Sequence, residues 1–125
     1  MLDINKIKEK YPKAYNELFN YYSSQVSNLR GLPGVQEMIK EEQMKALTEA
    51  SIAMLFKNPA NTRQLYDFFD SKEFFIDINR FLGDDSQNCF YFAIDETSYE
   101  FAYSTRQQAE EAAFNECFSQ LNDLL

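Results

Sequence analysis

The sequence predicts an α+β fold: a helical N-terminal half, a three-stranded antiparallel sheet containing a β-hairpin, and a C-terminal helix packed on that sheet. Three observations carry this. Apolar residues recur every three or four positions through the first half, then every second position from Phe74 to Asn79. Two aromatic runs, Phe90 to Ile94 and Tyr99 to Tyr103, flank the polar Asp95-Glu96-Thr97-Ser98. Thr105, followed three residues later by Gln108, is a capping-box signature ahead of an apolar helical stripe.

Asp3 to Lys10 reads as a short helix capped by Asp3, and Pro12 suits the first turn of a second helix, where a missing N–H is no loss. Tyr15, Leu18, Phe19, Tyr22, Val26 and Leu29 form the stripe of that second helix. Gly31-Leu32-Pro33-Gly34 should end it, with a left-handed glycine and a proline that opens the next element. A third helix is predicted from Val35 to about Lys57, with Val35, Met38, Ile39, Ala46, Ala50 and Ala53 on one face. Its last turns, Ile52 to Phe56, are apolar all round, and Pro59 disfavours helix at Asn58. A fourth helix covers about Thr62 to Asp70 and carries Leu65, Tyr66, Phe68 and Phe69.

In the first strand Phe74, Ile76 and Ile78 alternate with Phe75, Asp77 and Asn79, and Gly83 to Asn88 is a polar loop. Symmetric pairing about residues 96 and 97 sets Phe90 opposite Tyr103, Phe92 opposite Phe101 and Ile94 opposite Tyr99, so that one hairpin face is wholly aromatic or aliphatic. The other face pairs Cys89 with Ser104, Tyr91 with Ala102 and Ala93 with Glu100. The final helix, about Arg106 to Leu124, presents Ala109, Ala113, Phe114, Cys117, Phe118, Leu121, Leu124 and Leu125, with Asn115, Ser119, Asn122 and Asp123 opposite. Its stripe is expected to dock on the aromatic face.

Nothing divides the chain, so residues 1–125 are read as a single α+β domain; at that length folding buries about two thirds of the surface of the unfolded chain. Apolar residues make up 45% and aromatics 16%, enough for a core. No apolar run approaches the ~20 residues of a membrane span, and Met1-Leu2-Asp3 begins no export signal, so the expected location is cytoplasmic. In that setting Cys89 and Cys117 are expected as free thiols. The net charge of −8 is uneven: residues 1–83 sum to zero, and residues 84–125 set nine carboxylates against Arg106 alone. Nucleic acid is therefore not an expected partner, because its phosphates would meet carboxylates there.

Lys10-Tyr11-Pro12-Lys13-Ala14, Leu65-Tyr66-Asp67-Phe68-Phe69-Asp70, and Ser104-Thr105-Arg106 leading into Ala109-Glu110 and Ala112-Ala113-Phe114 together give the chain a likeness that spans most of its length. In these stretches it resembles a group of small uncharacterised proteins of gut bacteria and their prophages. The resemblance implies the same order of helices, short sheet and C-terminal helix, and an origin in a mobile element. It implies no activity, cofactor or catalytic residue.

The chain has no histidine, which removes the usual general base near neutral pH and the commonest metal ligand. Gly31, Gly34 and Gly83 match no phosphate-loop spacing, and Asp84-Asp85-Ser86-Gln87-Asn88 lacks the alternation and distal glutamate of a calcium loop. Cys117 falls mid-helix on an apolar stripe, and Cys89 has no basic neighbour to lower its pKa. Asp67 and Asp70 share one side of the fourth helix among aromatics, but solvated acids on a polar helix side explain them as well. No catalytic residue, metal or cofactor is expected, and the chain is read as non-enzymatic. The expected function is that of an interaction module binding a protein partner or itself; the alternative is an acidic nucleic-acid mimic inhibiting a nuclease or DNA-binding protein. The candidate interaction surface is the sheet face left uncovered by the final helix, with Tyr91, Ala93, Glu100 and Ala102 at its centre, unless the N-terminal helices close over it.

Overall fold

The computed structural model describes residues 2–30, 41–58, 61–83, 87–99 and 101–125, with the side chains of 25–30 and 41 outside that description. Among the described residues five helices and a sheet follow in the order α1 (Ile4–Lys10), α2 (Pro12–Arg30), α3 (Glu41–Lys57), α4 (Thr62–Ser71), β1 (Ile76–Leu82), β2 (Asn88–Ile94), β3 (Thr97–Ser98) and α5 (Arg106–Leu124). This is the predicted α+β architecture, with α5 packed on β1 and β2. The Gly31–Gly34 stop, the start of the third helix at Val35, Pro59 and the Asp84-Asp85-Ser86 stretch lie outside the described residues, as do the side chains of Val26 and Leu29.

Helix starts follow local chemistry. The Asp3 carboxylate accepts the N–H of Asn5 (2.9 Å) and of Lys6 (3.4 Å) at the start of α1, and the Thr105 hydroxyl accepts the Gln108 N–H (3.1 Å) at the start of α5. The first turn of α2 is served from far away in the chain: Asn122 Oδ1, near the end of α5, accepts the N–H of Lys13 (2.9 Å) and of Ala14 (3.3 Å).

The buried face of α3 differs from the one expected. Ala46 and Ala50 are exposed, and the helix buries Met44, Thr48, Ile52, Leu55 and Phe56. Met44, Ile52, Leu55 and Phe56 together remove more apolar area from water than the alanine stripe would, and the helix turns them inward although Leu47 and Met54 are thereby left exposed. Thr48, the one polar member of this face, satisfies its hydroxyl by donating to the Met44 carbonyl (2.9 Å). Around α5 the core is aromatic. The Phe69 ring lies 4.9 Å from Phe118, 5.0 Å from Phe68, 6.0 Å from Phe114 and 6.4 Å from Phe74, mostly edge to face. Burial of each such side chain contributes about 1.5–3 kcal/mol. The stripe of α5 is buried from Ala109 to Leu121, but Leu124 and Leu125, expected to continue it, are exposed because the helix runs out beyond the core.

The first strand begins two residues later than its alternation suggested and runs to Leu82. Phe74 is engaged elsewhere: its N–H donates to the Phe69 carbonyl (2.9 Å) and that of Glu73 to Asp70 (3.0 Å), with Glu73 at φ 66°. This is a Schellman ending for α4, and the Phe69–Phe74 contact is its customary apolar partner. β1 then pairs antiparallel with β2 from Ile76↔Ile94 to Leu82↔Asn88.

The hairpin register also needs correction. Asp95 (φ 50°) and Glu96 (φ 70°) form a tight turn, so Ile94 lies opposite Thr97 and Ala93 opposite Ser98, not opposite Tyr99 and Glu100. The Tyr99 N–H donates to the Phe92 carbonyl (3.0 Å), yet farther out Phe90 and Tyr103 exchange two bonds of 2.8 Å, as predicted. Between these points β2 supplies Tyr91 alone and the return segment three residues, a surplus of two. A shift of two preserves the faces, so Phe92, Tyr99 and Tyr103 still cluster toward α5. Phe101, expected beside Phe92, falls in the surplus and is 69% exposed.

Candidate functional site

With α5 on one face of the sheet, the other carries Asp77, Asn79 and Phe81 from β1, Cys89, Tyr91 and Ala93 from β2, and Ser98 from β3. Among the described elements α5 is the one helix that packs extensively on β1 and β2, and Asp77, Asn79, Phe81 and Ser98 are exposed. Phe81 and the half-buried Tyr91 meet edge to face at 5.4 Å. Beside them a groove of about 550 Å³ is lined by Asn79, Phe81, Tyr91, Phe92, Ser98 and Tyr99.

The four residues selected from sequence do not form one patch. Tyr91 lines the groove; Ala93, opposite both Asp77 and Ser98, is only 6% exposed and offers no contact area. Ala102 is exposed but borders a second cleft of about 440 Å³ with Gln87, Asn88, Cys89, Tyr103 and Ser104. Glu100 lies outside the described residues. Phe81, Asn79 and Ser98 were missed. Asn79 already stood on the polar side of the first strand, and the signal for Phe81 was Arg80-Phe81-Leu82 before Gly83, since a strand matched in length to β2 reaches Leu82.

Asp67 is ion-paired with Arg63 (Oδ1–Nε 3.3 Å) on an exposed helix side, and Asp70 is exposed. Burial, with the nearby carboxylates of Asp95 and Glu116, pushes the Cys117 thiol far up, so it is no thiolate nucleophile. Cys89 and Cys117 are both free, and Cys117 is buried. Among the described residues no three His, Cys, Asp or Glu gather where they could hold a metal ion, and no helix is long and apolar enough to cross a membrane. A cavity of about 30 Å³ under α4 and α5, lined by Leu55, Phe56, Leu65 and Phe114 among others, has room for about one water.

The acidic last third is partly engaged within the fold. Glu110 accepts the Tyr66 hydroxyl (3.1 Å), Glu116 accepts Gln120 Nε2 (3.1 Å), and the Asp95 carboxylate accepts the Phe75 N–H (3.0 Å). Burial first, and then Glu110, holds the Tyr66 hydroxyl well above its ordinary pKa. No protein-family model, curated protein or solved structure matches this chain.

Proposed function

We propose that this protein is a non-enzymatic interaction module, of the mobile-element origin the resemblance implies, that binds a protein through the open side of its sheet. The observation that supports this reading most is the uncovered face with Phe81 and Tyr91 beside a groove. An aromatic pair of this kind offers large contact area at little rotamer cost, and a tyrosine adds a hydroxyl for orientation. Nucleic-acid mimicry is less well supported, because Asp95, Glu110 and Glu116 serve bonds within the fold.

The test compares the wild type with Tyr91→Ala on partners captured from the native host. A surface role predicts a melting temperature within about 2 °C of the wild type and a loss of about tenfold in partner affinity. A large fall in melting temperature with capture unchanged assigns Tyr91 to the core. Salt separates the readings: mimicry weakens steeply as salt rises, whereas an apolar contact does not.

A further inference from the structure

Among the described residues β1 is an edge strand, paired with β2 on one side only. In an antiparallel strand the backbone groups of successive residues point alternately to either neighbour. The phase is fixed at both ends. Phe75 turns its N–H and C=O toward Asp95, and Gly83 sends its N–H to the Gln87 carbonyl (2.8 Å), so the odd-numbered residues face β2. Ile76, Ile78, Arg80 and Leu82 therefore direct their N–H and C=O groups to the open edge, and among the described residues no backbone hydrogen bond meets them there. Proteins usually blunt such an edge with proline, lysine, a bulge or a covering element. β1 has no proline or lysine, its register with β2 is unbroken, and Phe81 (57%) and Leu82 (71%) are exposed at its end.

We propose that β1 pairs antiparallel with β1 of a second copy of this chain about a two-fold axis at Asn79, joining two three-stranded sheets into one of six. The proposal rests on the reading of the sheet's open side as the interaction region and names its occupant. The strand is self-complementary in one register. With Asn79 facing Asn79, Ile76 faces Leu82 and Ile78 faces Arg80, so all four free residues of each strand are used. Centred on Arg80, the pairing opposes two arginines; centred on Ile78, it sets Leu82 against Phe74, whose N–H already serves the end of α4. Charge permits the approach. Residues 1–83 are neutral in sum, Asp77 and Arg80 balance within β1, and the −8 resides in the rest of the chain. In the joined sheet the two Phe81–Tyr91 pairs lie on one continuous face.

The experiment is sedimentation equilibrium on the full chain. Asn79 is exposed, so Asn79→Lys and Asn79→Asp leave the monomer folded while opposing two like charges across the axis. The wild type is expected to dimerise, each variant to dissociate about fivefold more readily, and an equimolar mixture of the two to recover the dimer. Ile78→Pro removes an outward N–H and trims a half-buried side chain that packs on the core, so it should give a less stable monomer whose folding is checked by its melting transition. A wild type monomeric at the highest attainable concentration, or a dimer indifferent to charge at position 79, overturns the proposal. A monomeric wild type whose host partner is lost in both Ile78→Pro and Tyr91→Ala overturns self-pairing in favour of a foreign strand and leaves the interaction reading standing. Partner binding indifferent to Tyr91→Ala rejects that reading whatever the oligomeric state.

Discussion

A helix that begins with proline still leaves the N–H groups of its next residues without intrahelical acceptors, and in α2 the amide oxygen of Asn122 takes two of them. Asn122→Ala should destabilise the protein by about 1 kcal/mol, the usual cost of a lost cap, seen as a melting temperature lower by a few degrees. Asn122→Asp keeps the acceptor and adds a charge at the positive end of α2, so its stability should match or exceed the wild type at neutral pH and fall behind only where the carboxylate protonates. A melt of Asn122→Ala identical to the wild type would show that water serves as well. The caps at Asp3 and Thr105 were legible in the sequence because donor and acceptor lie within three residues. Asn122 was read as a solvent-side residue, since no spacing rule reaches from one end of the chain to the other. Tyr91 was found from its parity in the hairpin, and Ala93 was misjudged because parity gives a face but not the closeness of its neighbours.

At the level of elements, the departures from prediction arise where a backbone bond outcompeted a side-chain pattern. Phe74 fits the strand alternation, but its N–H closes α4. The aromatic hairpin suggested symmetry about 96 and 97, whereas the chain turns at Asp95 and Glu96 and absorbs the difference before Tyr103. Neither turn contains the glycine that would have announced it. Glu73 and Glu96 both adopt positive φ, where a Cβ costs about 1–2 kcal/mol. Glycine there relieves that strain but loses more entropy on folding. Glu73→Gly and Glu96→Gly should each stabilise by about 0.5–1 kcal/mol, and their effects should add, because the sites share no partner. Denaturant midpoints of the single and double variants check both statements. Asp95, also at positive φ, should not tolerate glycine as well, because its carboxylate holds the Phe75 N–H.

Across the whole molecule, tyrosines bind the layers together. The Tyr22 hydroxyl donates to Gln64 Oε1 (2.8 Å) and that of Tyr66 to Glu110, and burial holds both well above the ordinary value of 10.0. Below pH 10 these groups are neutral in the folded and unfolded chain alike and stability is unaffected. Above it the unfolded chain releases protons that the folded chain keeps, so stability must fall as pH rises. The melting temperature should drop by several degrees between pH 10 and 12, and less in Tyr22→Phe/Tyr66→Phe; equal slopes in the two proteins would refute the assignment. Composition revealed the aromatic core and the acidic last third, and the period change revealed the architecture. The exposure of Asp77, Asn79, Phe81 and Ser98 among the described residues depends on where the N-terminal helices settle, which amphipathic stripes do not encode. The bridge from Asn122 to Lys13 has one more consequence, for synthesis. A ribosome releases α2 long before α5, so the start of α2 must wait, capped by water, until almost the entire described chain has emerged. The first turn of α2 therefore gains its protein cap only after α5 has emerged, and the last step in ordering the N-terminal helices waits for the end of α5.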